Sequence, residues 1–206
     1  MTVDRARSQH LLDELCTTHP DREVGRPGNS AANELFARVC GDAGLEIERL
    51  PFDCLVWEHG DARLRLADND FEILAGPYSP AFDGHARIAA VDTVDALEDG
   101  DFAGTILLLH CDLTREQLMP KNFVFYNPAM SKRIIAALER KRPTAVLAAT
   151  AKNPSLAGSL YPFPLIDDGD FDLPTAYMKD TEGAKILELL KSTGERPEAH
   201  LTIDSR

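Results

Sequence analysis

No apolar run in the chain approaches the ~18–20 residues that a bilayer-spanning helix needs, and the first ten residues, M-T-V-D-R-A-R-S-Q-H, lead into no apolar h-region of a secretory signal. Cationic charge is also scarce. Lys and Arg number 22 against 34 Asp and Glu, for a formal charge of -12, and a phosphate-backbone partner would need a basic face. The densest basic run, Arg140-Lys141-Arg142, stands at a helix end, where cations complement the helix dipole. Four cysteines, Cys16, Cys40, Cys54 and Cys111, show no C-x-x-C spacing, which leaves neither a zinc knuckle nor a dithiol redox motif. There is no G-x-G-x-x-G, no phosphate-binding loop and no Glu-Glu pair. These gaps leave a globular chain with no nucleic-acid or membrane partner expected. Scattered core-type thiols favour a reducing compartment, so the expected location is cytoplasmic, or secreted if a signal segment was trimmed.

What is present is a rhythm of strands and helices. Thr105–His110 and Thr144–Thr150 are short, nearly continuous apolar runs bounded by Gly104 and Pro143, the signature of buried strands. Between them Ile134, Ile135 and Leu138 share one helical face, and Lys132, Arg133, Glu139 and Arg140 the other. Strand, helix, strand at this spacing predicts a right-handed crossover with parallel strands. Leu173–Met178 and the amphipathic stretch from Asp180 to Lys191 add a further strand and helix, and His200–Ile203 a short final strand. That strand stops at Ser205-Arg206 without a following element, which implies a chain cut rather than finished.

Upstream, Asp4 to about Thr18 has helical spacing and ends at His19-Pro20. Ser30 is placed to N-cap a helix over Ala31–Ala43, with Leu35, Phe36, Val39 and Cys40 on its buried face and Gly44 as its C-terminal cap. From Leu45 the period becomes two. The alternation predicts strands over Leu45–Phe52, Cys54–Trp57 and Ala62–Leu66, with His59-Gly60-Asp61 as the turn between the last two. Ile73–Ala75 and Arg87–Val91 read as weaker strands. If the chain is cut, the sheet partners of this front part are missing, which predicts an exposed edge or apolar patch around Leu50–Trp57.

Two stretches together resemble a known family. The front, D-R-E-V-G-R-P-G-N-S from Asp21, then the helix and Gly44-Leu45-Glu46-Ile47, resembles the opening of zinc aminopeptidases of the glutamate carboxypeptidase and transferrin receptor family. The centre, Asp101-Phe102-Ala103-Gly104-Thr105-Ile106-Leu107-Leu108, Ala145-Val146-Leu147, Pro162-Phe163-Pro164 and Gly183-Ala184-Lys185-Ile186-Leu187, resembles the protease-associated domain inserted in those enzymes. Thr105 stands where the family usually has Lys, and Arg142-Pro143-Thr144 where a Gly-Ala pair is common. The resemblance implies a mixed α/β fold. Residues 1–66 would be a helical lead-in with edge strands of a peptidase sheet, and residues 67–206 a protease-associated β-sandwich or barrel with flanking helices and a return strand. It implies that the family's two zinc ions, with their His, Asp and Glu ligands and a Glu general base, lie beyond this chain. The chain alone would then carry no catalytic and no metal-ligating residue, bind no cofactor and be inactive. The intact protein would hydrolyse peptide bonds with zinc, and a homodimer is possible under this reading. The alternative is a free-standing protease-associated module for protein–protein interaction.

Individual residues offer sharper but weaker candidates. His110 and Asp112 follow a strand at H-x-D spacing and could both reach one metal, against a plain solvent-facing strand end. His59 and Asp61 share that spacing but read as a turn. Gly28-Asn29-Ser30 lacks the preceding strand of a nucleophile elbow. Cys111 beside His110 suggests a thiol–imidazole pair, yet neighbours on a strand point to opposite faces. Asp167-Asp168-Gly169-Asp170 lacks the downstream Glu of a calcium loop. The aromatic stretches Phe123–Tyr126 and Tyr161–Pro164 suggest a contact surface.

Overall fold

The computed structural model describes residues 5–119, 121, 123–150, 172–193 and 196–206. The chain divides into two compact units, meeting between Val56 and Trp57.

In the first unit, helix α1 (Arg5–Asp13) runs into a wider turn over Glu14–Thr18, and α2 spans Pro27–Asp42. The N-cap of α2 is Arg26, not Ser30: Pro27 supplies a preset φ at the first helical position, so the helix starts earlier and Ser30 lies inside it. Gly44, at φ +82°, closes the helix as expected. Of the expected buried face only Leu35 is buried, together with Ala37, while Phe36 is exposed. Residues 45–58 form no strand. Their alternation is real, but a strand needs a backbone ladder, and among the described residues 46–56 join none; only Glu58, next to the strand that begins at His59, exchanges both backbone hydrogen bonds with Arg206 at 2.8 Å. The apolar side chains are left in solvent, with Leu50 77% and Phe52 76% exposed.

The second unit is an α/β domain built on one eight-stranded mixed sheet. Its strands are β1 (His59–Leu66), β2 (Asn69–Glu72), β3 (Leu74–Ala75), β4 (Phe82–Val91), β5 (Ile106–Leu109), β6 (Ala145–Thr150), β7 (Thr175–Lys179) and β8 (Glu198–Ser205), in the spatial order β2-β1-β8-β4-β5-β6-β7-β3. β4 to β7 are parallel and in sequence order, while β8 lies between β1 and β4, antiparallel to both. The predicted β5–β6 crossover is therefore present, through α4 (Ala129–Lys141). The two sheet edges, β2 and β3, are separated only by Ile73, so one short stretch of chain carries both rims and the sheet curls on itself.

The curl creates two apolar compartments. Outside the parallel strands, α3 (Val94–Asp99) and α4 cover Val91, Leu107, Leu109 and Val146. Inside, alternate residues of every strand meet: Leu64 and Leu66, Ile88, Leu108, Leu147, Met178, Leu201 and Ile203. Ile186 of α5 (Asp180–Thr193) joins this inner set, and Gly183 brings the helix so close to β6 that a Cβ there would collide with the Ala149 methyl. Lys179 at the end of β7 meets Glu72 of β2 at 2.7 Å, tying the two ends of the curl.

Ser79, 1% exposed, fastens the junction between sheet halves. Its Oγ accepts the Thr175 backbone N–H at 2.9 Å, and its carbonyl accepts from Trp57 Nε1 at 3.0 Å and Ser205 Oγ at 2.7 Å. Trp57 is thereby partly covered, unlike the apolar residues just before it. Ser79→Ala would orphan the buried Thr175 N–H, and chemical denaturation should register a loss of about 1–3 kcal/mol.

Candidate functional site

The carboxyl ends of parallel strands are where open α/β sheets hold ligands, and β5 ends here in His110-Cys111-Asp112. The backbone turns sharply at Cys111, with φ +52°, after His110 N–H bonds Val91 O and before Asp112 N–H bonds Asp92 O. The turn breaks strand alternation. His110 Nδ1 consequently lies 3.1 Å from Cys111 Sγ, which corrects the expectation that the two point apart. Asp112 turns instead to Arg115, at 2.5 Å. The structure thus brings His110 to the thiol and Asp112 to a guanidinium.

Burial pushes the His110 imidazole below its usual pKa; nearby Asp92 opposes the shift and Lys191 adds to it. The unfolded chain protonates near an ordinary histidine value of about 6.5, so below that pH it binds more protons than the folded chain. Stability should therefore fall as pH drops from 7 through 6, until folded His110 also takes its proton. His110→Gln should flatten this part of a melting-temperature–pH profile.

Beside this turn, between α3, the residue 112–119 segment and α4, lies a cleft of ≈ 850 Å³ lined by Val94, Leu113, Leu118, Tyr126, Met130 and Ile134 among others. On its rim Arg133 of α4 grips Glu98 at 2.6 and 3.0 Å and Asp95 at 2.8 Å, both on α3. These bonds raise the Arg133 pKa and lower that of Glu98. The neighbouring aromatic loop is open to solvent, with Val124 84% and Phe125 88% exposed and Phe123 edge-on to Phe125 at 6.0 Å.

His59, Gly60 and Asp61 do not form the expected turn. They begin β1, with His59 opposite Ser205, and polar residues that resemble turn chemistry are here the solvent side of an antiparallel pair. His59 stacks on Trp57 at 4.5 Å and Asp61 pairs with Arg63 at 3.0 Å. Asp167–Asp170 and Tyr161–Pro164 lie outside the described residues. Among the described residues no three or more His, Cys, Asp or Glu side chains converge as a metal ion requires.

One constellation escaped the sequence reading. On the outer face of the β4–β8 pair, His85 and His200 stand directly opposite each other and stack at 4.3 Å with 3° between ring planes. His200 Nε2 lies 2.7 Å from Asp83 Oδ1, and this bond, helped by Thr202, holds the Asp83 carboxyl below its usual range. His85 Nδ1 lies 3.3 Å from Glu198 Oε1. The available signal was the alternation Asp83, His85, Arg87, which runs back through a stretch whose Gly84 reads as a loop residue.

No protein-family model and no curated protein matches the sequence. Solved structures do match in fold. A peptidase M28 precursor from Shewanella amazonensis superposes with a TM-score of 0.69 at 13% identity, over 96% of this chain and 46% of its own. An aminopeptidase from Aneurinibacillus gives 0.64 at 15%, over 97% and 44%. A zinc aminopeptidase from Bacillus subtilis gives 0.57 at 16%, over 97% and 43%. The chain thus spans under half the length of each of these neighbours. At such identities the likeness is one of fold, and the fold is a peptidase-related mixed α/β fold.

Proposed function

We propose that this chain is the non-catalytic portion of a metallo-aminopeptidase-like protein: a helical lead-in with edge strands of a peptidase sheet, followed by a protease-associated domain that shapes substrate access or subunit contacts. The observation that carries the reading is the match of nearly the whole chain to under half of each peptidase neighbour. The apolar stretch 45–56, which joins no sheet among the described residues, supports it, because its exposed Leu50, Phe52 and Leu55 have the pattern of strands whose partners lie elsewhere. The curled sheet, with α3 and α4 outside it and α5 against its inner apolar set, supports the domain assignment.

In the parent protein, zinc would act as the Lewis acid and activate the water that hydrolyses a peptide bond. This reading places the ligands of those zinc ions outside the chain. The test is an aminopeptidase assay on the purified chain with amino-acid nitroanilides and added zinc. Turnover is expected to equal the buffer blank. Zinc-dependent hydrolysis by the chain alone would overturn the reading.

A second reading, a free-standing module that binds proteins, is favoured by the solvent-exposed Phe123–Tyr126 loop beside an apolar cleft. The two differ in what the reading frame does beyond Arg206: the first requires it to continue into an H-x-D motif, the second requires a stop.

A further inference from the structure

The outer face of the β4–β8 pair is laid out as a grid. Register sets Asp83 opposite Thr202, His85 opposite His200 and Arg87 opposite Glu198. Strand alternation turns Ile88, Ala199 and Leu201 into the core and leaves these six side chains on the other side. One imidazole is held by a hydrogen bond, His200 Nε2 with Asp83 Oδ1 at 2.7 Å, and the other has a carboxylate beside it, with His85 Nδ1 3.3 Å from Glu198 Oε1. An ionised carboxylate only accepts hydrogen bonds, so His200 Nε2 carries a proton, and Glu198 favours the same for His85 Nδ1. The nitrogens left over, His85 Nε2 and His200 Nδ1, are then lone pairs in the neutral rings.

A ring whose far N–H is fixed by a carboxylate is the usual setting of a metal-bound histidine, because the carboxylate sets the tautomer, aims the ring and raises its basicity. We propose that His85 and His200 form a two-imidazole site for a borderline divalent cation of the zinc or copper class. Asp83 and Glu198 orient the rings, and water fills the remaining coordination positions. Imidazole donors suit these ions and do not suit magnesium or calcium, which take oxygen. The parallel rings must splay to converge on one ion while His200 keeps its bond to Asp83. Their side chains are 61% and 40% exposed, so the core does not resist that movement. A bound ion would clip β4 to β8, the seam between the parallel and antiparallel parts of the sheet.

The site does not depend on the peptidase reading, and its test reads no activity. Uniformly nitrogen-15-labelled chain is titrated with zinc chloride while the imidazole nitrogens are followed by NMR. His85 Nε2 and His200 Nδ1 should shift together and saturate at one ion per chain, and at a hundredfold excess over the dissociation constant the melting temperature should rise by roughly 5–10 °C. His85→Asn should abolish the His200 shift. Asp83→Ala, which keeps both ligands, should weaken binding about tenfold or more. Zinc taken up by the four thiols with both rings unmoved would overturn the proposal. So would a His200 shift that survives His85→Asn, or full affinity in Asp83→Ala.

Discussion

Leu108→Ala should destabilise the second unit by about 2–5 kcal/mol, a fall in melting temperature on the order of 10 °C. Leu108 sits on β5, one of the central parallel strands, is 0% exposed, and points into the inner compartment with Ile88 and Leu147 as neighbours in the same apolar set. Truncation removes three carbons from a space enclosed by the curled sheet and α5, and a hydrogen-bonded sheet collapses onto a gap less readily than a loose helix pair. Calorimetry or urea denaturation gives the number directly. A loss below about 1 kcal/mol would mean that the inner compartment relaxes far more than its enclosed geometry implies.

Gly183→Leu fails for the opposite reason. Glycine inside α5 forgoes about 1 kcal/mol of helix propensity relative to alanine, and the structure shows what that concession permits. Even a single carbon added at Gly183 would collide with the Ala149 methyl on β6. For Gly183→Ala the helix gain and the collision oppose each other. For leucine the collision dominates, and a loss of about 3 kcal/mol is expected, the upper part of the usual overpacking cost. Ala149→Gly in the same chain should recover part of the loss from Gly183→Leu, since the two side chains share one contact. Strict additivity in that double-mutant cycle would show that the helix does not touch β6 through Gly183.

Both positions were legible in the sequence to different degrees. The runs Ile106–Leu109 and Ala145–Thr150 are buried on both faces, and continuous apolarity is the pattern that such strands must have. The amphipathic faces of α4 and α5 were equally plain, because each helix buries one side only. Failure came where structure depends on a partner distant in sequence. Residues 45–57 alternate as a strand does, yet periodicity reports a preference for extended backbone and not the presence of a ladder. His59 and Gly60 carry turn chemistry, but their conformation is set by β8, paired from the far end of the chain. The same distance hid His85 and His200, whose opposition exists only through the β4–β8 register. At Cys111 a single left-handed residue reversed the side-chain geometry that strand alternation implied.

The position of β8 has a consequence for how the protein is made. This strand is flanked by β1 on one side and β4 on the other, although both precede it in the chain. During synthesis β1 and the rest of the sheet emerge first, with the central slot unfilled and two ladders of backbone N–H and C=O groups awaiting a partner. No early hairpin can close that slot, so the curl cannot be completed until residues 198–205 have left the ribosome. The nascent chain therefore passes through a state with two open strand edges flanking its inner apolar face. That is the interval in which a chaperone, or a second nascent chain, has most to bind.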